Sequence, residues 1–169
     1  MTLDEIKIDA VTTFWRTIKK NLEEDGLCPE FCHFDANKKL MIVQDIEGLV
    51  RKYVDRPNED NRYFGISVKL QNDSHVCLLV EENIYFAIAP KLVDLPALKD
   101  RKTELKDWKT DSGRFAAWKY PKCGKKSLLS PDDDIWKLAC SENKNTDADS
   151  WDLISQLSAE FIYIVRELA

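Results

Sequence analysis

Apolar positions recur with two different periods along this 169-residue chain, and the change of period divides it into helices and strands. Near the start, Ile6, Ala10, Val11, Phe14, Trp15, Ile18 and Leu22 fall at helical spacing, with Lys7, Asp9, Arg16 and Lys19 mostly opposite. Thr2 and Glu5 have the spacing of a capping box, in which a hydroxyl and a carboxylate each satisfy a free backbone N–H. Asp25-Gly26 offers the left-handed stop that ends a helix. The period then becomes two. Phe64, Ile66, Val68 and Leu70 alternate with Gly65, Ser67 and Lys69, as in a half-buried strand. Val76 to Val80 is apolar throughout, as a central strand covered on both faces is, and Ile84 to Ala89 is a third strand stopped by Pro90. The polar segments Gln71-Asn72-Asp73-Ser74 and Glu81-Glu82-Asn83 are turns that join the three into a meander.

Shorter patterns flank this centre. Phe31 to Phe34 and Leu40 to Val43, split by Asp35-Ala36-Asn37-Lys38, suggest a hairpin, and Ile46, Leu49, Val50 and Tyr53 share one face of a short helix over Ile46 to Val54. Residues 94–109 read as a highly charged helix, and Phe115 to Tyr120 as a further strand ending at Pro121. Pro131 followed by three aspartates is a helix start, with acids near the positive end of the dipole. A closing helix opens with Thr146 and Asp149 and runs through Trp151, Ile154, Leu157, Phe161, Ile164, Val165 and Leu168. Ile162 and Tyr163 broaden its apolar stripe, so a homodimer contact through the C-terminal helix is one expectation. The expected fold is a single α+β domain over residues 1–169: an antiparallel β-meander packed against N-terminal and C-terminal amphipathic helices.

Composition narrows the classes. Five glycines leave little room for a Gly-rich phosphate loop, and no apolar run approaches the length of a membrane span. The acidic, amphipathic start is unlike a secretory signal, and five cysteines (Cys28, Cys32, Cys77, Cys123 and Cys140) lack framework spacing. Both point to a cytoplasmic protein with reduced thiols, Cys77 being a core residue. The net charge of −5 is unevenly spread: residues 91–126 carry 11 Lys/Arg against 5 Asp/Glu, whereas the flanking segments are acidic. That polarity suits docking, although a solvated, charge-mixed surface has the same composition.

Catalytic constellations do not assemble. Cys28, Cys32 and His33 cluster, and Cys123 lies in half of a zinc knuckle, but neither group has the second ligand pair of a tetrahedral site. The two histidines, His33 and a His75 expected in a solvated hairpin turn, give no nucleophile pair. Pro131-Asp132 with Glu104-Leu105-Lys106 or Asp107-Trp108-Lys109 matches the letters of a metal-dependent nuclease, in the wrong order and on an expected helix. No catalytic residue, metal or cofactor is therefore assigned. The segment 114–126 is the chemically distinctive one. Arg114, Trp118, Lys119, Tyr120, Lys122, Lys125 and Lys126 interleave cations with π faces, as nucleic-acid and protein interfaces do. Alternate spacing favours a plainer arrangement, in which Trp118 and Tyr120 are inward-facing strand residues and the lysines sit in a solvated loop.

The succession Phe14-Trp15, Tyr63-Phe64-Gly65-Ile66, Ile84-Tyr85-Phe86-Ala87-Ile88 and Trp118-Lys119-Tyr120 resembles the C-terminal accessory domain of bacterial and phage PD-(D/E)XK nuclease-like proteins, over about residues 14 to 165. The nuclease core is not visible, so the resemblance transfers no catalytic residue. It implies an accessory domain from a phage–bacterium conflict system that binds a partner rather than cutting a substrate. The expected function is thus a non-enzymatic protein-binding module of inhibitor or immunity type. The alternative is a nucleic-acid-binding accessory domain using segment 114–126.

Overall fold

The computed structural model describes residues 2–55, 63–90, 107–128 and 148–169. Helix α1 covers Leu3–Glu24, and the Thr2 hydroxyl accepts the Glu5 N–H at 3.2 Å, as the capping pattern predicts. The chain then turns at Gly26, whose φ of +87° is the left-handed conformation expected there. Strands β1 (Glu30–Phe34) and β2 (Leu40–Val43) form the predicted hairpin. Asp35 closes it, its Oδ1 accepting the N–H groups of Asn37 and Lys39 at 2.9 Å. Helix α2 (Glu47–Asp55) follows, and then β3 (Phe64–Lys69), β4 (His75–Val80), β5 (Ile84–Ala89) and β6 (Ala117–Lys119). Helix α3 (Ala148–Leu168) ends the fold.

All six strands lie in one antiparallel sheet in the order β2-β1-β3-β4-β5-β6. The predicted meander is its centre, and the β1–β2 hairpin extends it beside β3 because β1 pairs antiparallel with β3 from Glu30↔Ser67 to His33↔Phe64. Strand alternation divides the core in two. Phe64, Ile66, Leu78, Ile84 and Phe86 face one way and meet Phe14, Trp15 and Ile18 of α1 and Leu157 and Phe161 of α3. The helices are tied to each other by an Asn21–Ser158 hydrogen bond of 3.2 Å and an Arg166–Asp25 ion pair. Cys32, Phe34, Cys77, Leu79, Tyr85 and Ala87 face the other way and pack with Phe115. β4 and β5 are thus covered on both faces, which is why neither shows a polar face in sequence.

Two expectations need correction. His75 opens β4 opposite Lys69 and Ala89 instead of sitting in a solvated turn; burial, with Lys69 nearby, pushes its imidazole pKa below the ordinary 6.5. The helix expected over 94–109 does not extend through Lys109, which makes an antiparallel bridge with Trp118. The remainder of that segment, the Pro131 helix and the Thr146 cap lie outside the described residues. Among the described residues no helix is long and apolar enough to cross a membrane.

Candidate aromatic binding cleft

β3, β4 and β5 bring four aromatic or acidic positions to one end of the second face. Tyr63 immediately precedes β3, Glu81 and Glu82 form the β4–β5 turn, and Tyr85 projects from β5. The segment before β6 supplies the opposite wall. There the Ser112 hydroxyl accepts the N–H groups of Arg114 and Phe115, both at 3.0 Å, which folds Asp111 to Arg114 into a tight turn and drives Phe115 onto the sheet. The result is a cleft of about 470 Å³ lined by Tyr63, Tyr85, Phe115, Trp118 and Tyr120, with Glu81, Glu82, Asp111, Lys38 and Arg114 around them. That volume lies within the range of ordinary ligand sites.

The rings form a continuous series. Phe115 lies 5.7 Å from Tyr85 and 6.3 Å from Tyr63, Tyr85 meets Trp118 edge-on at 6.1 Å, and Trp118 meets Tyr120 edge-on at 5.2 Å. T-shaped pairs place the positive edge of one ring on the negative face of the next, so the wall is geometrically fixed. Cations already occupy its outer faces. The Arg114 guanidinium lies 4.0 Å over Tyr63, and the Lys109 ammonium lies 4.6 Å from the Trp118 ring and 5.4 Å from Tyr120. The polar tips are also held: the Tyr63 hydroxyl donates to Glu81 Oε1 at 3.1 Å, and the Trp118 indole N–H donates to Asp111 Oδ1 at 2.9 Å.

Two features set this cleft apart from ordinary core packing. Tyr63 has φ +65°, a left-handed conformation that a bulky aromatic adopts only under constraint. Its N–H donates to Val80 O at 2.9 Å and its carbonyl accepts from Phe34 N–H at 3.1 Å, so two neighbouring strands hold it there. Tyr85 is 6% exposed, and its hydroxyl is buried with no hydrogen-bond partner among the described residues. Burial, reinforced by the nearby Glu81 charge, pushes the Tyr85 pKa well above the usual 10, and burial also raises that of Tyr63. Both hydroxyls therefore stay protonated, which suits them to hydrogen-bond donation and not to proton abstraction.

Strand alternation splits the predicted segment 114–126 between the two faces. Arg114, Trp118 and Tyr120 line the cleft. Lys119 points the other way, over Trp108 at 5.2 Å and 3.8 Å from Glu160 of α3. The Lys122 backbone N–H donates to both Glu160 oxygens at 3.1 and 3.0 Å, and its ammonium lies 5.5 Å from the Tyr163 ring. Lys125 returns to the cleft side, 5.1 Å from Tyr120, while the Lys126 carbonyl accepts the Ile84 N–H at 2.7 Å. The four lysines thus do not form one stripe. The sequence reading missed Tyr63, Glu81, Glu82, Tyr85 and Asp111. Tyr63 and Tyr85 stand out only as aromatics, and their convergence depends on strand register.

The thiols and imidazoles lie elsewhere. Cys28 is exposed, whereas Cys32 is buried against Cys77, and this contact together with burial pushes the Cys77 thiol well up. Among the described residues no group of three or more His, Cys, Asp or Glu is arranged to hold a metal ion. Comparison with protein-family models, with curated proteins and with solved structures finds no match to this chain.

Proposed function

We propose that the chain is a non-enzymatic protein-binding module that seats a side chain of its partner in the aromatic cleft. The observation that carries this reading is the unpartnered Tyr85 hydroxyl at the base of a fixed wall of rings. A buried donor without an acceptor costs about 1–3 kcal/mol, a cost that an incoming acceptor removes. The fitting occupant is a basic side chain. Its aliphatic stem packs on Phe115 and Tyr85, its cation meets the ring faces that Arg114 and Lys109 already show to be cation-accepting, and Glu81, Glu82 and Asp111 supply opposite charge. The backbone carbonyl at the same partner residue provides an acceptor for Tyr85. A module that covers its partner in this way acts as a blocking subunit, the role of an inhibitor or immunity-type protein.

The test uses the full chain and small probes. Titration with N-acetyl-arginine amide, N-acetyl-lysine amide and AMP is followed at the Arg114 and Phe115 backbone N–H groups by NMR. The expected result is a saturable shift with the basic amides that is lost in Trp118→Ala and weakened in Glu82→Gln. A saturable shift with AMP alone supports a nucleic-acid surface instead. No shift with any probe, together with partner capture from the native host that Trp118→Ala leaves unchanged, rejects the cleft as the binding site.

A further inference from the structure

Two cations on the rim of the cleft have no carboxylate partner among the described residues. Lys38 stands in the β1–β2 turn, and its ammonium lies against Gly113, 3.9 Å from where a side chain at that glycine would begin. Arg114 is the next residue along that wall and stacks its guanidinium on Tyr63. A third donor, the Tyr85 hydroxyl, is buried in the same cleft without an acceptor among the described residues. Burial and then Glu81 raise its pKa, and the Arg114 charge is close enough to oppose them, so guanidinium and hydroxyl are within electrostatic reach of each other. Two of the acids are already engaged: Glu81 accepts the Tyr63 hydroxyl, and Asp111 accepts the Trp118 indole N–H.

A neutral backbone carbonyl satisfies the Tyr85 hydroxyl and leaves both cations unmatched. A carboxylate serves all three donors, because its two oxygens offer about four lone-pair sites. Its charge-assisted bonds to a guanidinium and an ammonium are also roughly twice as strong as neutral ones. Given that the cleft is the binding site, as proposed above, we propose that the residue seated in it is the C-terminal residue of the partner protein, an arginine or a lysine. Its free α-carboxylate meets Tyr85, Arg114 and Lys38, while its side chain packs on Phe115 and Trp118 and is matched in charge by Glu82.

Net charge alone predicts the opposite preference, which makes the assignment testable. The lining sets Glu81, Glu82 and Asp111 against Lys38 and Arg114, so the field of the cleft as a whole favours the more positive ligand. A basic ligand that gains affinity on acquiring a negative charge must place that charge beside the two cations. The volume of about 470 Å³ suits one terminal residue entering end-on, since no room is needed for the chain to continue past it. A free amino acid carries the same carboxylate and side chain but adds an α-ammonium, where a C-terminal residue has an amide.

Titration of the full chain with N-acetyl-arginine and with N-acetyl-arginine amide, read at the Phe115 backbone N–H by NMR, tests the proposal. The free acid should bind about tenfold more tightly than the amide. That ratio should fall toward one in Lys38→Gln and in Arg114→Gln, and Arg114→Lys, which keeps the charge, should retain most of it. Equal affinities, or tighter binding of the amide, overturn the C-terminal assignment and leave a cleft for basic side chains standing. Binding of neither ligand removes the cleft reading itself. A preference for the acid that both glutamine variants leave unchanged also overturns the assignment, because the carboxylate would then lie elsewhere. L-Arginine binding more tightly than N-acetyl-arginine makes the ligand a free amino acid and overturns the protein source. If Arg114→Gln does not fold, Lys38→Gln decides, since Lys38 is exposed in a turn.

Discussion

Removing the Tyr85 hydroxyl should make the protein more stable and a poorer binder. Tyr85→Phe keeps the ring, with its contacts to Phe115 and Trp118, and deletes one oxygen that is buried without a partner. The desolvation cost of such a group is about 1–3 kcal/mol, whereas the packing lost with one atom is a fraction of that. The net gain is about 1–2 kcal/mol, which in a domain of this length raises Tm by about 2–4 °C per kcal/mol. Urea unfolding measures the gain directly, through a higher midpoint at an unchanged slope. The pH dependence is a second readout. The folded pKa of Tyr85 is raised above the ordinary 10, so its contribution is whole below that pH and is lost as pH rises through 10 toward the folded value. Tyr85→Phe abolishes this term, and its stability should fall less steeply in alkali, by up to about 1.4 kcal/mol per pH unit. Binding of a basic amide or of the partner should weaken about fivefold, the worth of one neutral hydrogen bond. A variant less stable than wild type would mean that the hydroxyl has a partner in the folded state, and an identical alkaline slope that it is solvated; either result would refute the reasoning.

Other substitutions probe the frame. A Cβ added at Gly65 would lie 2.1 Å from the Leu78 carbonyl oxygen and 2.9 Å from Trp15 Cη2, so Gly65→Ala should cost about 3 kcal/mol or more in urea unfolding. Glu160→Ala leaves the Lys122 N–H without its two carboxylate acceptors and removes the partner of the mostly buried Lys119, a loss of about 2 kcal/mol with faster hydrogen exchange at Lys122. His75 is held below its ordinary 6.5 by burial and by Lys69, so its contribution is present above 6.5 and is lost as pH falls below it. His75→Gln should flatten that acid limb of the stability profile, measured by urea midpoints across the same range.

Much of the frame is determined by the chain's own pattern. A helical stripe from Ala10 to Leu22, a Thr2 cap and a Gly26 stop define α1, because local spacing and local hydrogen bonds suffice for it. The period-two run of β3 and the unbroken apolar runs of β4 and β5 likewise announce a central meander, and short polar turns leave antiparallel pairing as the only connection. What local pattern cannot carry is the partner of each strand and the direction of each side chain once strands are registered. Alternate spacing already separates Trp118 and Tyr120 from Lys119, but only the docked helix α3 shows that Lys119 meets Glu160 instead of being solvated. The cleft joins Lys38, Tyr63, Glu81, Tyr85 and Trp118, positions far apart in the chain, and only the pairing of β1, β3, β4, β5 and β6 makes them neighbours. The sequence by itself therefore determined the elements and their buried stripes, through interactions a few residues long. Tertiary structure alone decided that the Tyr85 hydroxyl has no acceptor among the described residues and that Lys119 meets Glu160, because each of these depends on which distant segment lies alongside.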